Sequence, residues 1–165
     1  MITNPKNLFE GFNMKVFLLL IAAGVVGTIC FEAFALYSKI ALGKNMQPVV
    51  LVAGLTEVMF GMKISLYPAA LILHLVTGAV FYPLLYLFIL KTFPNGSVFF
   101  TGIVLGITTW ILAQGVFSPM IGRDFMMGWS AFTLKSVIVH TVYALIIAFS
   151  FAFFYRRFVM GNKDS

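Results

Sequence analysis

The stretch VFLLLIAAGVVGTICFEAFALYSKIAL, residues 16–42, decides the fold. Crossing the hydrocarbon layer takes about 20 predominantly apolar residues as a helix, because the backbone must satisfy its own hydrogen bonds there. This stretch is longer than that and carries only Glu32 and Lys39 as charged side chains. Three more runs of the same kind follow, at about 64–90, 98–120 and 131–155. The fold class they predict is all-α: a polytopic membrane protein of four transmembrane helices, forming one membrane domain over residues 1–165.

The composition agrees. The chain is 61% hydrophobic and 10% charged, with a mean hydropathy of +1.03. A soluble domain has about 25% charged residues, so its surface cannot be built from this stock. The net charge of +6 is spread over the ends of segments rather than gathered in runs. That distribution fits topology signals and lipid head groups and excludes a nucleic-acid surface. Cys30 is the sole cysteine, so it forms neither an internal disulfide nor a zinc knuckle. The first run has a basic start and Ala33-Phe34-Ala35 downstream, as a signal peptide would. It nevertheless continues past that point, and an uncleaved first span is expected.

The connections carry their own signals. Thr92-Phe93-Pro94-Asn95-Gly96 is a tight turn, Ser118-Pro119 closes the third run, and Gly122-Arg123-Asp124 opens a polar loop. Residues Pro48 to Gly61 are apolar but too short to span, which predicts an interfacial or re-entrant helix with Glu57 and Lys63 facing water or head groups. With a cytoplasmic N-terminus, that side holds Lys6, Lys15, Lys91, Arg156, Arg157 and Lys163. The other side holds Lys39, Lys44, Lys63, Arg123 and Lys135. The cluster after the last run places both termini inside.

An internal repeat is visible as well. Ala23-Gly24-Val25-Val26-Gly27 parallels Gly102-Ile103-Val104-Leu105-Gly106, and the second and fourth runs each carry one histidine. Two helical hairpins related by an axis along the membrane normal give that pattern. Gly102 and Gly106 also form a G-x-x-x-G motif, which lets helices approach closely. Pro68 and Pro83 are expected to kink the second span.

Polar side chains recur at one depth. Glu32 lies seventeen residues after Lys15, His74 seventeen before Lys91, Gln114 seventeen after Ser97 and His140 sixteen before Arg156. At about 1.5 Å per residue, each sits roughly 25 Å from the cytoplasmic face. Ionisable groups at such depth face the bundle interior, so the four are expected to converge.

Several chemistries fit such a layer. In the first, His74 and His140 clamp a haem b iron between the second and fourth spans. Gly78, one turn from His74, and Ala144, one turn from His140, would leave room for the ring; Tyr82, Trp110 and Tyr143 would wall it. Lys63, Lys135 or Arg123 would pair with the propionates. In the second, His74, His140 and Glu32 hold a metal ion. In the third, Glu32 titrates and the histidines relay protons or guide a substrate. The plainest reading makes the layer interhelical hydrogen-bond glue, each contact worth on the order of 1 kcal/mol. No Ser-His-Asp set, nucleotide loop or carboxylate pair is present, so no enzymatic activity is expected.

From the second span onward the chain resembles the YagU-like family of bacterial inner-membrane proteins. The shared marks are His74, Val80-Phe81-Tyr82, Phe93-Pro94, Ser118-Pro119-Met120-Ile121-Gly122, His140 and Arg156-Arg157, over roughly residues 70–157. The resemblance implies a bacterial inner membrane and about four spans, with no settled activity. Two functions are carried forward. One is a non-enzymatic accessory subunit of a larger membrane complex or homo-oligomer, holding a bis-histidine haem. The other is a small transporter or proton path using Glu32. Beyond these, the expected partner is the lipid bilayer.

Overall fold

A computed structural model describes residues 13–43 and 47–161; Lys6, Lys44 and Lys163 of the charge comparison lie outside them. Four helices are long and apolar enough to cross a membrane. We number the helices α1 (Met14–Leu42), α2 (Val49–Phe60), α3 (Leu66–Thr92), α4 (Val98–Met120) and α5 (Ala131–Met160). No strand occurs among the described residues.

Capping chemistry sets the boundaries of α1. The Asn13 side chain accepts from Val16 N at 3.1 Å, so the helix starts ahead of the apolar run. It ends at Gly43, whose φ of 64° is left-handed, as a C-terminal glycine permits. α2 has 12 residues and stops at Gly61 with φ 68°. At about 18 Å long it cannot span. It packs instead on the first half of α3 and on the end of α4, beside Ile121. Glu57 and Lys63 form an exposed ion pair at 3.4 Å at its end.

The four long helices form a ring in the order α1, α3, α4, α5. Gly24 seats α1 on Ala79 and Pro83 of α3, while Gly102 and Gly106 seat α4 on Ala148 and Thr141 of α5. The loop from α4 to α5 contains an unforeseen left-handed turn, with Met126, Met127, Gly128 and Trp129 all at φ between 50° and 63°. Thr133 Oγ1 donates to Met126 O at 2.6 Å and holds it.

Packing is uneven along the bundle. Toward the termini the ring is filled by Val16, Leu20, Tyr86, Leu105, Ile147 and Phe151. Tyr86 and Thr101, both fully buried, share a hydrogen bond of 3.1 Å there. Toward α2 the helices separate, and the space between them holds the polar residues.

Candidate functional site

A cavity of about 570 Å³ lies in that open half. α2, α3, α4 and α5 wall it, and α1 contributes Thr28 and Phe31. His74, Gln114 and His140 all line it; Glu32 does not. The Glu32 carboxylate lines a second cavity, with Lys39, Tyr67 and Leu75. Thr28 and Gln47 border both spaces. The structure therefore gathers His74, Gln114 and His140 around one chamber and sets Glu32 behind His74.

Glu32 Oε1 on α1 stands 3.1 Å from His74 Nε2 on α3. The approach is off the ring's N–H axis, and neither atom has another hydrogen-bond partner among the described residues. The other carboxylate oxygen, Oε2, accepts from Gln47 Nε2 at 2.6 Å. The Tyr67 hydroxyl donates to Gln47 Oε1 at 2.6 Å. Gln47 directly precedes the turn into α2, so it ties the entry of that helix to the Glu32 carboxylate. Nothing in the sequence around Gln47 or Tyr67 marks either as a partner of Glu32. Phe31 places its ring edge-on to the His74 imidazole, with 5.5 Å between centroids.

Two widened turns shape the chamber, and each ends two residues before a proline. In α3 the turn Thr77–Phe81 is π-helical, with Tyr82 N bonding Thr77 O ahead of Pro83. In α4 the turn Leu112–Phe117 is π-helical, with Ser118 N bonding Ala113 O ahead of Pro119. Proline has no N–H to donate, and its ring crowds the carbonyl four residues back. Widening the preceding turn accommodates it. The shift frees Gly78 O from its α-helical donor, Tyr82 N, and the Tyr143 hydroxyl donates to it at 2.9 Å. With that proton committed, Thr28 Oγ1 donates to Tyr143 Oη at 3.1 Å. Such bulges are frequent at functional sites.

His140 Nδ1 bonds Ser136 O at 2.8 Å, which leaves Nε2 as the ring's remaining nitrogen. Gln114 Oε1 and Ser118 Oγ are buried with no partner among the described residues. Trp110 Nε1 donates to Ser136 Oγ at 3.1 Å, and Trp110 is not in the chamber wall, while Tyr82 and Tyr143 are. Arg123, half-buried, lines the chamber, and no ion pair to it occurs among the described residues.

The geometry around His74 departs from the one a bis-histidine haem would use. His74 directs Nε2 at Glu32 rather than toward a shared iron. The space over Gly78 is not free for a macrocycle: a Cβ there would lie 2.6 Å from Thr28 Oγ1 and 2.7 Å from Tyr143 Oη. Ala144 is buried within the helix core. Lys135 is exposed and absent from the chamber wall, so it meets no propionate there. Lys63 is paired with Glu57. As to a metal ion, no three of His, Cys, Asp or Glu gather to hold one among the described residues. Glu32 and His74 pair without His140.

Residues 14–158 match the sequence profile of DUF6789, described as a family of unknown function. No curated protein and no solved structure matches the chain. Nothing in these comparisons connects the chain to the YagU-like proteins.

Proposed function

Because the chain belongs to DUF6789, a family of unknown function, its role has to come from the site, and we propose that it is a small transporter or proton path in which the Glu32–His74 pair hands protons between the two cavities. The observation that carries this reading is the pair itself: a carboxylate and an imidazole 3.1 Å apart, each without another partner for the facing atom, standing between two cavities. An ionised side chain at the middle of a membrane helix costs about 3 kcal/mol. A pair that shares one proton avoids that cost in its neutral form and offsets part of it in its ion-paired form. A proton on Glu32 Oε1 moves to the unprotonated Nε2 of His74, leaving carboxylate and imidazolium; the imidazolium releases its Nδ1 proton toward the larger chamber, and Glu32 takes up a new proton from the smaller cavity. The reverse sequence carries it back. Gln47 and Tyr67 hold the carboxylate in register on the smaller-cavity side.

In this reading the protein is not an enzyme. It sits in a bacterial inner membrane with both termini cytoplasmic, since Lys15, Lys91, Arg156 and Arg157 share one end of the bundle. The bacterial setting rests on the YagU-like resemblance alone. The test is proton flux into proteoliposomes under an imposed potential: Glu32→Gln, correctly assembled, abolishes flux if the reading is right and leaves it at the wild-type rate if it is wrong.

A second reading, an accessory subunit carrying a haem, draws support from His140. Its Nδ1 is held by a backbone carbonyl, as metal-ligating histidines commonly are. The visible spectrum of the purified protein separates the two.

A further inference from the structure

We infer that the larger chamber is a binding site for an organic anion with an apolar body, its charge met by Arg123. The proposal stands on the lining of the chamber and holds or fails independently of proton passage.

The ionisable residues in the wall are one-sided. Arg123, His74 and His140 line the chamber, and no Asp, Glu or Lys does so among the described residues. The nearest membrane carboxylate, Glu32, faces the other cavity and is bonded by Gln47. Asp124, next to Arg123 in the chain, makes no ion pair with it among the described residues. Arg123 stands half-buried in the wall where the α4–α5 loop begins, and an anion in the chamber supplies the partner it lacks through charge-assisted hydrogen bonds.

Much of the rest of the wall is apolar. Val52, Leu55 and Met59 of α2 face Leu73 and Phe81 of α3 and Leu112 of α4 across the space. The volume of about 570 Å³ falls in the range of about 300–1,000 Å³ that holds small ligands. Such a molecule lies with its charge at Arg123, at the α4–α5 loop, and its body between α2 and α4. Two sources carry this chemistry: a free amphipathic acid and the head group of an anionic lipid.

The test uses the full chain in phosphatidylcholine nanodiscs, titrated with decanesulfonate, whose charge does not change with pH. One saturable site is expected, at least about tenfold tighter than for decanol and absent for decyltrimethylammonium. Arg123→Gln should weaken decanesulfonate binding by about tenfold or more, while Lys135→Gln leaves it unchanged. Leu55→Trp, which fills the chamber from the peripheral helix α2, should abolish binding with the bundle intact by circular dichroism. Replacing part of the phosphatidylcholine with phosphatidylglycerol distinguishes the sources. Competition with decanesulfonate identifies a lipid head group, and unchanged affinity identifies a free acid. Equal binding of decanol, no saturable site, or wild-type affinity in a folded Arg123→Gln or Leu55→Trp variant overturns the proposal.

Discussion

The Tyr143 hydroxyl on α5 donates to the Gly78 carbonyl on α3 at 2.9 Å, across the diagonal of the helix ring. An α-helix would have spent that carbonyl on Tyr82 N. Because Tyr82 N bonds Thr77 O in the widened turn before Pro83, the carbonyl is available to a side chain. Tyr143→Phe removes this bond and the one from Thr28 while keeping the ring. Interhelical hydrogen bonds in membranes are worth about 0.6 kcal/mol on average, so the loss should be about 1 kcal/mol. Reversible unfolding in mixed micelles measures it, and an unchanged midpoint would show that the bond contributes nothing.

The glycines of α4 differ in what they can tolerate. A Cβ on Gly106 would stand 2.5 Å from Thr141 Cα and 3.0 Å from Thr141 N, which are backbone atoms. On Gly102 the nearest atom is Leu145 Cδ2 at 2.8 Å, the far end of a side chain that can rotate. Overpacking costs typically about 1–3 kcal/mol. Gly106→Ala should fall in that range and Gly102→Ala below it, and equal losses in the same unfolding assay would contradict the geometry.

Gln47 acts by positioning the Glu32 carboxylate. Gln47→Leu keeps the size of the side chain and removes the donor to Oε2. Proton flux should slow several-fold without vanishing, because the Glu32–His74 contact survives. Complete loss would place Gln47 in the path itself, and no change would remove it from the account.

The imidazole geometry makes a claim about colour. With His74 Nε2 turned to Glu32 and the space over Gly78 occupied by Thr28 and Tyr143, the purified protein should show no Soret band. A band present in wild type and lost in both His74→Ala and His140→Ala would establish the haem reading and displace this one.

How the sequence encodes these features differs from feature to feature. The spans are legible because hydropathy responds to lipid directly, and Gly43 and Gly61 mark helix ends through their permitted left-handed backbone. That His74, Gln114 and His140 meet around one chamber is legible too, from counting along the helices. Rotation about each axis is not. Lipid and bundle core are both apolar, so α1 and α5 are apolar all round and no polar face reports which side turns inward. Hence Glu32 could not be assigned to a separate cavity, nor Lys135 to the outside. Pro83 and Pro119 did signal local disturbance, read as a kink and a helix end, but a proline does not say whether the chain bends or widens. Gln47 lay in a loop with no periodicity to point it at Glu32.

The central claim is that Glu32 and His74 share a transferable proton. The most direct measurement is proton flux in proteoliposomes for wild type, Glu32→Gln, His74→Gln and the exchanged pair Glu32→His with His74→Glu, each confirmed as folded. The account predicts that both single variants are silent and that the exchanged pair regains flux, because the carboxylate–imidazole contact is restored in reverse. Wild-type flux in Glu32→Gln would contradict it.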